Sequence, residues 1–339
     1  ILTIGIQFNP CGQVSTNLLL VSPYNVNFYG GVQNQVNLFK NNLDSSKFNI
    51  RILAPDSSDY DIGKSFRIPF NGSNNPISFL PNKQILNEAI AWADIIHIHE
   101  PFIPLFFWRL KSSKKIVVTH HAKISKFIYF GLKFLYLTLR NKNFYSTAVS
   151  DEAKANALSL SKKTRIIPNF IVINENISFI PNNNFLFIGR NESRKNLKLF
   201  INLSKSIDET REFIAITNKI SNDDLIKYLI DISDDEKNSI IKNVGFFIAP
   251  QTHSESFGIT ILEAINAGNI AICSNLTAFI DLLGDSGIYF ENNNLQSLLK
   301  VLNKLNNSDL DKIWNKQYEH INKNYNSQKV LDDWIYVYN

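Results

Sequence analysis

A chain of 339 residues with 44% apolar and 19% charged side chains is long enough for two hydrophobic cores and too apolar for disorder on a large scale. Its formal charge of +5 comes without a long Lys/Arg run, so nucleic-acid binding has little support beyond sign, and an acidic substrate or an anionic membrane surface suits it equally. Two distant cysteines, Cys11 and Cys273, exclude a thiolate metal set or a disulfide scaffold, and with no run of about 18 apolar residues to cross a bilayer the expected location is cytoplasmic.

Residues 1–16 read as an over-extended start, since the chain contains no Met and is polar from Gln7 to Asn17. From Leu18, short apolar runs alternate with longer segments of helical period, the pattern of an open parallel α/β sheet. Runs at 18–22, 49–54, 95–99, 115–119, 146–150 and 165–168 predict one doubly wound domain over residues 1–173. An Asn-rich stretch at 174–184, containing Pro181, reads as a linker. The pattern restarts at 185–189, 212–216, 245–249, 270–273 and 287–290, which predicts a second domain of the same kind over 185–313. Residues 314–339 are expected as a C-terminal helix packing back across the domains. Ligands of such sheets bind beyond the carboxyl ends of the strands, so two facing domains are expected to share one cleft lined by the loops after strands.

Several motifs fall in those loops. Gly30 and Gly31 precede a helical pattern and let the backbone approach a phosphate, although a Gly pair also serves any tight turn. Asp59 and Asp61 match a D-x-D, and Gly63, Lys64 and Ser65 match the end of a P-loop. Ser58 occupies the first Gly of that loop and no helical pattern follows from Phe66, so both matches read as accidental. His97 and His99 share one side of a strand, where a satisfied buried histidine accounts for His97. Residues 123–145 interleave Lys123, Lys126, Lys133, Arg140 and Lys142 with aromatic side chains. A helix lying on a membrane and a packed helix with a solvated basic face both fit this segment.

In the second half, Arg190, Arg194 and Lys195 follow the strand that ends at Ile188. Cations disfavour helix N-termini, so an anionic ligand explains them better than a basic helix start. Ser233 followed by Asp234, Asp235 and Glu236 has the form of a helix N-terminus with an acidic first turn. Glu255 and Glu263 flank a helix start near Gly258, where free amides around Phe257, Gly258 and Ile259 can hold an anion and the carboxylates can accept from hydroxyls. A nucleotide sugar carries both kinds of group. The plain alternative leaves Glu255 complementing the helix dipole and Glu263 solvated. No His, Cys or carboxylate set has the spacing of a metal site.

Taken whole, residues 249–268, with Glu255, Ser256-Phe257-Gly258-Ile259 and Glu263, resemble the E-x7-E motif of the retaining family-four glycosyltransferases. The resemblance implies a GT-B fold, two Rossmann-like doubly wound domains facing across a cleft that closes over a nucleotide-sugar donor, with no protein-bound metal. It implies that Glu255 orients the sugar hydroxyls and Glu263 the ribose hydroxyls. Arg190, Lys195 and Arg194 would neutralise the diphosphate, whose charge grows as the glycosidic bond breaks. By the same likeness Gly30 and Gly31 reach the diphosphate, the amides of Phe257, Gly258 and Ile259 assist, and His121 contacts the donor sugar. Strings at 23–24, 97–101, 148–150, 168–169 and 274–279 are similar, within that family, to mannosyltransferases acting on inositol lipids.

The narrower likeness runs from about residue 18 to 290 and implies GDP-mannose as donor and phosphatidyl-myo-inositol or a related inositol lipid as acceptor, with a peripheral location on the inner face of the plasma membrane. It sets Ile232, Asp234 and Lys237 at the base, where a carboxylate can accept from the N1 and N2 donors of guanine, and Tyr24, Asn27 and Lys126 on the acceptor side. Three departures bear on it. The loop 190–195 is one residue shorter, Asn27 stands where Asp is expected, and residues 80–94 carry only Lys83 in place of a basic cluster. A family-four transferase using a UDP-sugar and a soluble acceptor such as inositol phosphate stays open, as does a non-catalytic sugar-nucleotide-binding protein.

Overall fold

The computed structural model describes residues 15–28, 30–57, 59–70, 73–78, 82–101, 112–123, 144–157, 163–207, 210–221 and 223–339. The chain divides into two compact units, Ile1–Asn169 with Val330–Asn339, and Phe170–Lys329.

The first unit holds β1 (Thr16–Val21), β2 (Phe48–Ala54), β3 (Tyr60–Asp61), β6 (Ile95–His99), β7 (Lys115–His120), β8 (Phe144–Ala148) and β9 (Arg165–Ile166) in one sheet. Its order is β3-β2-β1-β6-β7-β8-β9 and every pairing is parallel. Leu18 through Val21 are fully buried, as expected of a parallel strand covered on both faces. Helices α1 (Gly31–Asn42), α2 (Lys83–Trp92) and α3 (Asp151–Ala157) belong to the same unit. α2 begins where the Asn82 side chain accepts from the amides of Gln84 and Ile85. Leu19, Leu53, Ile96 and Val118 form one core with Leu86 and Ala89 of α2. An antiparallel ribbon, β4 (Phe66–Phe70) with β5 (Ser73–Ile77), stands apart from the sheet, and the residues after Ser65 are thus strand, which removes the P-loop match.

The second unit is built on β10 (Phe185–Ile188), β11 (Phe213–Ile216), β12 (Ile226–Leu229), β13 (Phe246–Ala249), β14 (Ile270–Ser274) and β15 (Ile288–Phe290). They are ordered β12-β11-β10-β13-β14-β15, again all parallel. Its helices are α4 (Leu197–Ser204), α5 (Asp234–Ile241), α6 (Ile259–Asn266), α7 (Thr277–Leu283), α8 (Leu295–Leu305) and α9 (Leu310–Tyr325). Strand order reverses between β1 and β6 in one sheet and between β10 and β13 in the other. Loops leaving the two strands at such a point diverge to opposite faces and open a crevice at their carboxyl ends.

Residues 174–184 run along the second unit. Ile180 N–H donates to Gly268 O at 3.0 Å, and Asn182 Nδ2 donates to Asn243 O at 3.0 Å. A Cβ on Gly245 would lie 1.7 Å from Asn182 O, so this backbone passes where only glycine leaves room. Gly245→Ala is expected to lower stability by about 1–3 kcal/mol, seen as a lower urea midpoint at unchanged slope.

The expected single helix over 314–339 is two. Asp309 caps α9 by accepting from Lys312 N–H, which starts the helix at Leu310. Asn326 is extended and bridges Ile171, and α10 (Ser327–Tyr338) starts beyond it. Residues of α10 from Val330 onward belong to the first unit. There Trp334 packs on Phe39 and His97 with ring centroids at 5.1 and 4.7 Å, while Arg165 pairs with Asp333. Among the described residues no helix is long and apolar enough to cross a membrane.

Candidate functional site

The loops after β10 and β13 start from neighbouring strands at the order reversal of the second sheet. In the first loop a 3-10 turn, Ser193–Lys195, ends at Asn196, whose left-handed backbone (φ 56°) leads into α4. That tight turn displays Arg190, Arg194 and Lys195 together. Thr252 N–H donates to Arg194 O at 2.8 Å and Arg194 Nη1 donates to Ser254 O at 3.4 Å, tying the second loop to the first. As a result Lys195 Nζ lies 2.5 Å from Glu255 Oε2 although sixty positions separate them.

Glu192 completes this cluster, and no motif pointed to it. Its carboxylate accepts from Arg194 Nε at 2.9 Å and lies 3.8 Å from Arg190 Nη1, while Arg194 Nη1 is 3.9 Å from Glu255. Three cations face two carboxylates, which leaves a net positive, half-buried surface suited to an anion of higher charge than either glutamate. The available signal was an acid set among cations within one turn, a spacing easily taken for charge balance.

Gly258 turns the chain into α6 with φ +101°, and a Cβ there would press on the Phe279 ring at 3.0 Å. In the first turn of α6 Ile261 N–H donates back to Gly258 O at 3.0 Å, and the amides of Ile259 and Thr260 precede the first intrahelical bonds, the position at which a helix can receive an anion. Glu263 lies one turn further along. Lys237 of α5, itself buried, reaches Glu263 Oε2 and Asp234 Oδ1 at 3.4 Å each. Asp234 occupies the acidic first turn of α5, where Ser233 and Glu236 form a reciprocal capping box. The expected helix N-terminus is therefore present, and Lys237 links it to Glu263. Ile232 is half-buried just ahead of that cap. Two clusters result in this unit, one around Lys195 and Glu255, the other around Lys237 and Glu263.

In the first unit Gly30 caps α1 and Gly31 is its first residue, with Asn34 N–H donating to Gly30 O at 2.8 Å. Tyr24 is buried beside Ile77, and its backbone N–H donates to Ser22 Oγ at 3.1 Å. Asn27 donates through Nδ2 to Asp56 O at 3.0 Å, and Asn25 Nδ2 donates to Asp56 Oδ2 at 2.6 Å. Lys126 and the basic, aromatic segment from 124 to 143 lie outside the described residues. Lys123 pairs with Glu152 at 2.7 Å. The D-x-D carboxylates are both engaged locally: Asp59 accepts from Lys40 Nζ and Ile52 N–H, and Asp61 accepts from the amides of Asp56 and Gly63.

The histidines gather where β6 and β7 end. His97 Nδ1 and Nε2 lie 2.7 Å from Tyr338 Oη and Thr119 Oγ1, so His97 is a satisfied core residue. His99 Nδ1 lies 2.9 Å from His121 Nε2. Burial holds all of them neutral, pushing His121 down to about 3 and His97 and His99 well below the usual imidazole range. Among the described residues no group of three or more His, Cys, Asp or Glu is arranged to hold a metal ion.

Glu100, left-handed at φ 54°, accepts from His121 N–H at 3.1 Å. Burial outweighs that bond and raises its carboxyl from an ordinary 4.5 to about 8. A raised carboxyl binds its proton more tightly folded than unfolded, so the folded state is favoured below pH 4.5 and that advantage is lost as pH climbs towards 8. Glu100→Gln keeps an acceptor and cannot ionise. Its stability relative to the parent is expected to rise by roughly 3–5 kcal/mol across that window, measured by urea unfolding at pH 5 and pH 8.5.

Comparison with known proteins adds a second line of information. The family described as Glycosyltransferase Family 4 matches residues 29–175, and the family described as Glycosyl transferases group 1 matches residues 174–327. The chain is 27% identical over 308 residues to the phosphatidyl-myo-inositol mannosyltransferase of Mycobacterium leprae, covering 79% of this chain and 81% of that protein. It is 28% identical over 301 residues to the enzyme of the same name from Mycolicibacterium smegmatis, covering 78% of each. Among solved structures, a glycosyltransferase from Rickettsia africae superposes with a TM-score of 0.71 at 18% identity over 96% of this chain and 98% of that one. Anabaena HepE in complex with UDP and glucose superposes with a TM-score of 0.72 at 12% identity, over 95% and 99%.

Proposed function

We propose that this chain, which belongs to the family-four glycosyltransferases of GT-B fold, transfers mannose from GDP-mannose to phosphatidyl-myo-inositol or a related inositol lipid with retention of configuration. The observation that carries the reading is the Lys195–Glu255 pair, set at the carboxyl ends of β10 and β13 on either side of the order reversal. A ligand that separates the pair must offer an anion to one member and hydrogen-bond donors to the other. A nucleoside diphosphate sugar offers both.

In this reading the diphosphate takes Lys195, Arg190 and Arg194, together with the first amides of α6. Glu255 then accepts from sugar hydroxyls and Glu263 from ribose hydroxyls. Asp234 and Lys237, next to Ile232, meet the guanine base. Gly30, Gly31 and His121 contact the donor, and Tyr24, Asn27 and Lys126 serve the acceptor. Cations around the leaving group stabilise charge that develops only as the glycosidic bond breaks, which accelerates the chemical step rather than binding alone. The leaving phosphate oxygen takes the proton of the attacking hydroxyl on the same face, so the oxygen–carbon bond forms where the phosphate departs. The expected site of action is a membrane surface, where the lipid acceptor resides.

The test is transfer of labelled mannose from GDP-mannose to phosphatidylinositol vesicles, with UDP-glucose and UDP-N-acetylglucosamine as parallel donors and Glu255→Ala as control. Lipid product from GDP-mannose alone, absent in the control and carrying an α-linkage, is the expected result. Turnover of a UDP donor without lipid product overturns donor and acceptor together, and an inverted linkage overturns retention.

A further inference from the structure

β6 and β7 are neighbours in the first sheet, and His99, the last residue of β6, stacks on His121, just past the end of β7, with ring centroids 5.1 Å apart. One proton lies between His99 Nδ1 and His121 Nε2, so two neutral arrangements exist. In the first, His99 Nδ1–H donates, and His121 carries its proton on Nδ1. In the second, His121 Nε2–H donates, and His99 must carry its proton on Nε2. His99 is fully buried and its Nε2 has no hydrogen-bond partner among the described residues. The second arrangement therefore strands an N–H without an acceptor, whereas the first leaves only an unused lone pair. For buried backbone groups an orphaned N–H is the rarer defect, and the same desolvation physics applies to a ring N–H.

Among the described residues nothing around the pair alters that choice. His97 lies 4.2 Å from His99, ring to ring, but its own nitrogens are committed. Thr147 Oγ1 donates to Val118 O at 3.0 Å, so the Thr119 hydroxyl donates to Thr147 at 2.7 Å. His97 Nε2–H then donates to Thr119, and Tyr338 O–H donates to His97 Nδ1. Phe39 packs against His99 at 5.7 Å, and Glu100 accepts from the His121 backbone.

We infer that His99 is a positioning residue that holds His121 as the Nδ1–H tautomer, so that His121 presents a hydrogen-bond donor to an oxygen of the bound nucleotide sugar. The half concerning the sugar rests on the proposed function; the tautomer does not. Long-range proton–nitrogen correlation spectra of the whole chain labelled with 15N-histidine read the tautomer without any donor present. The expected result is a protonated Nδ1 and a bare Nε2 on His121. In His99→Phe the proton should move towards Nε2 and kcat with GDP-mannose should fall about tenfold. His99→Gln, whose amide can donate to His121 Nε2, should restore both, with thermal melting confirming that each variant is folded. A protonated Nε2 in the parent chain, or a tautomer unmoved in His99→Phe, overturns the inference. So does an altered tautomer at unchanged kcat, which removes the positioning role. Expected spectra in a parent chain that fails to turn over GDP-mannose leave the tautomer standing and overturn the functional reading instead.

Discussion

Lys195→Ala is expected to lower kcat for mannosyl transfer by about a thousandfold while leaving the fold in place. Lys195 faces Glu255 at 2.5 Å, and Arg194 stands 3.9 Å from the same oxygen. Removing the lysine therefore leaves Glu255 near a cation, and the melting temperature should move little. In the proposed reaction what disappears is a charge aimed at the departing diphosphate, an interaction strongest in the transition state, so the loss should fall on kcat more than on KM. Lys195→Arg should recover only part of the rate, because a planar fork does not reproduce a single short contact. Steady-state kinetics with GDP-mannose, paired with thermal melting, checks the prediction. Unchanged turnover in Lys195→Ala would falsify the role of this loop.

Trp334→Ala is expected to cost about 3–5 kcal/mol of stability, the largest structural effect anticipated for a single substitution here. Trp334 is only 2% exposed and packs on Phe39, His97 and Tyr338. Beside it Tyr338 stacks edge-on against Phe48 and reaches His97, and Lys115 Nζ donates to Tyr338 O at 3.0 Å. The last ten residues thus act as part of the first unit's core. Urea unfolding should show the loss as a lower midpoint, and Trp334→Phe should retain most of the stability. A midpoint within experimental error of the parent would show that α10 contributes little to that core.

Much of the fold was legible because its strands are buried on both faces. Runs such as 18–22, 95–99 and 270–273 stand out as continuous apolar blocks, and each appears in the structure within two residues of its expected bounds. The elements that escaped notice lack that signature. β12 carries a single buried residue, β3 has only two residues and is held by pairing with Leu53 and Ala54, and the β4–β5 ribbon is defined by its own antiparallel partner. The run expected at 146–150 begins instead at Phe144, because Phe144 and Tyr145 pair with Ile116 and Val117. An edge or a register is a property of two segments, and one segment cannot display it.

The same division runs through the candidate site. Local signals sufficed for the helix starts at Gly258 and Ser233 and the clustering of Arg190, Arg194 and Lys195, since caps and tight turns involve residues only a few positions apart. Hydrophobic periodicity likewise pointed to two parallel α/β sheets, and the resemblance of residues 249–268 to a family motif implied a glycosyltransferase. Tertiary structure alone decided that Lys195 meets Glu255 across sixty positions, that Glu192 holds two arginines beside them, that His99 meets His121 and that Tyr338 reaches His97 across 241. Parallel strand order brings together chain ends that local periodicity cannot relate, because each strand's neighbour is chosen by the packing of whole βαβ units rather than by nearby residues.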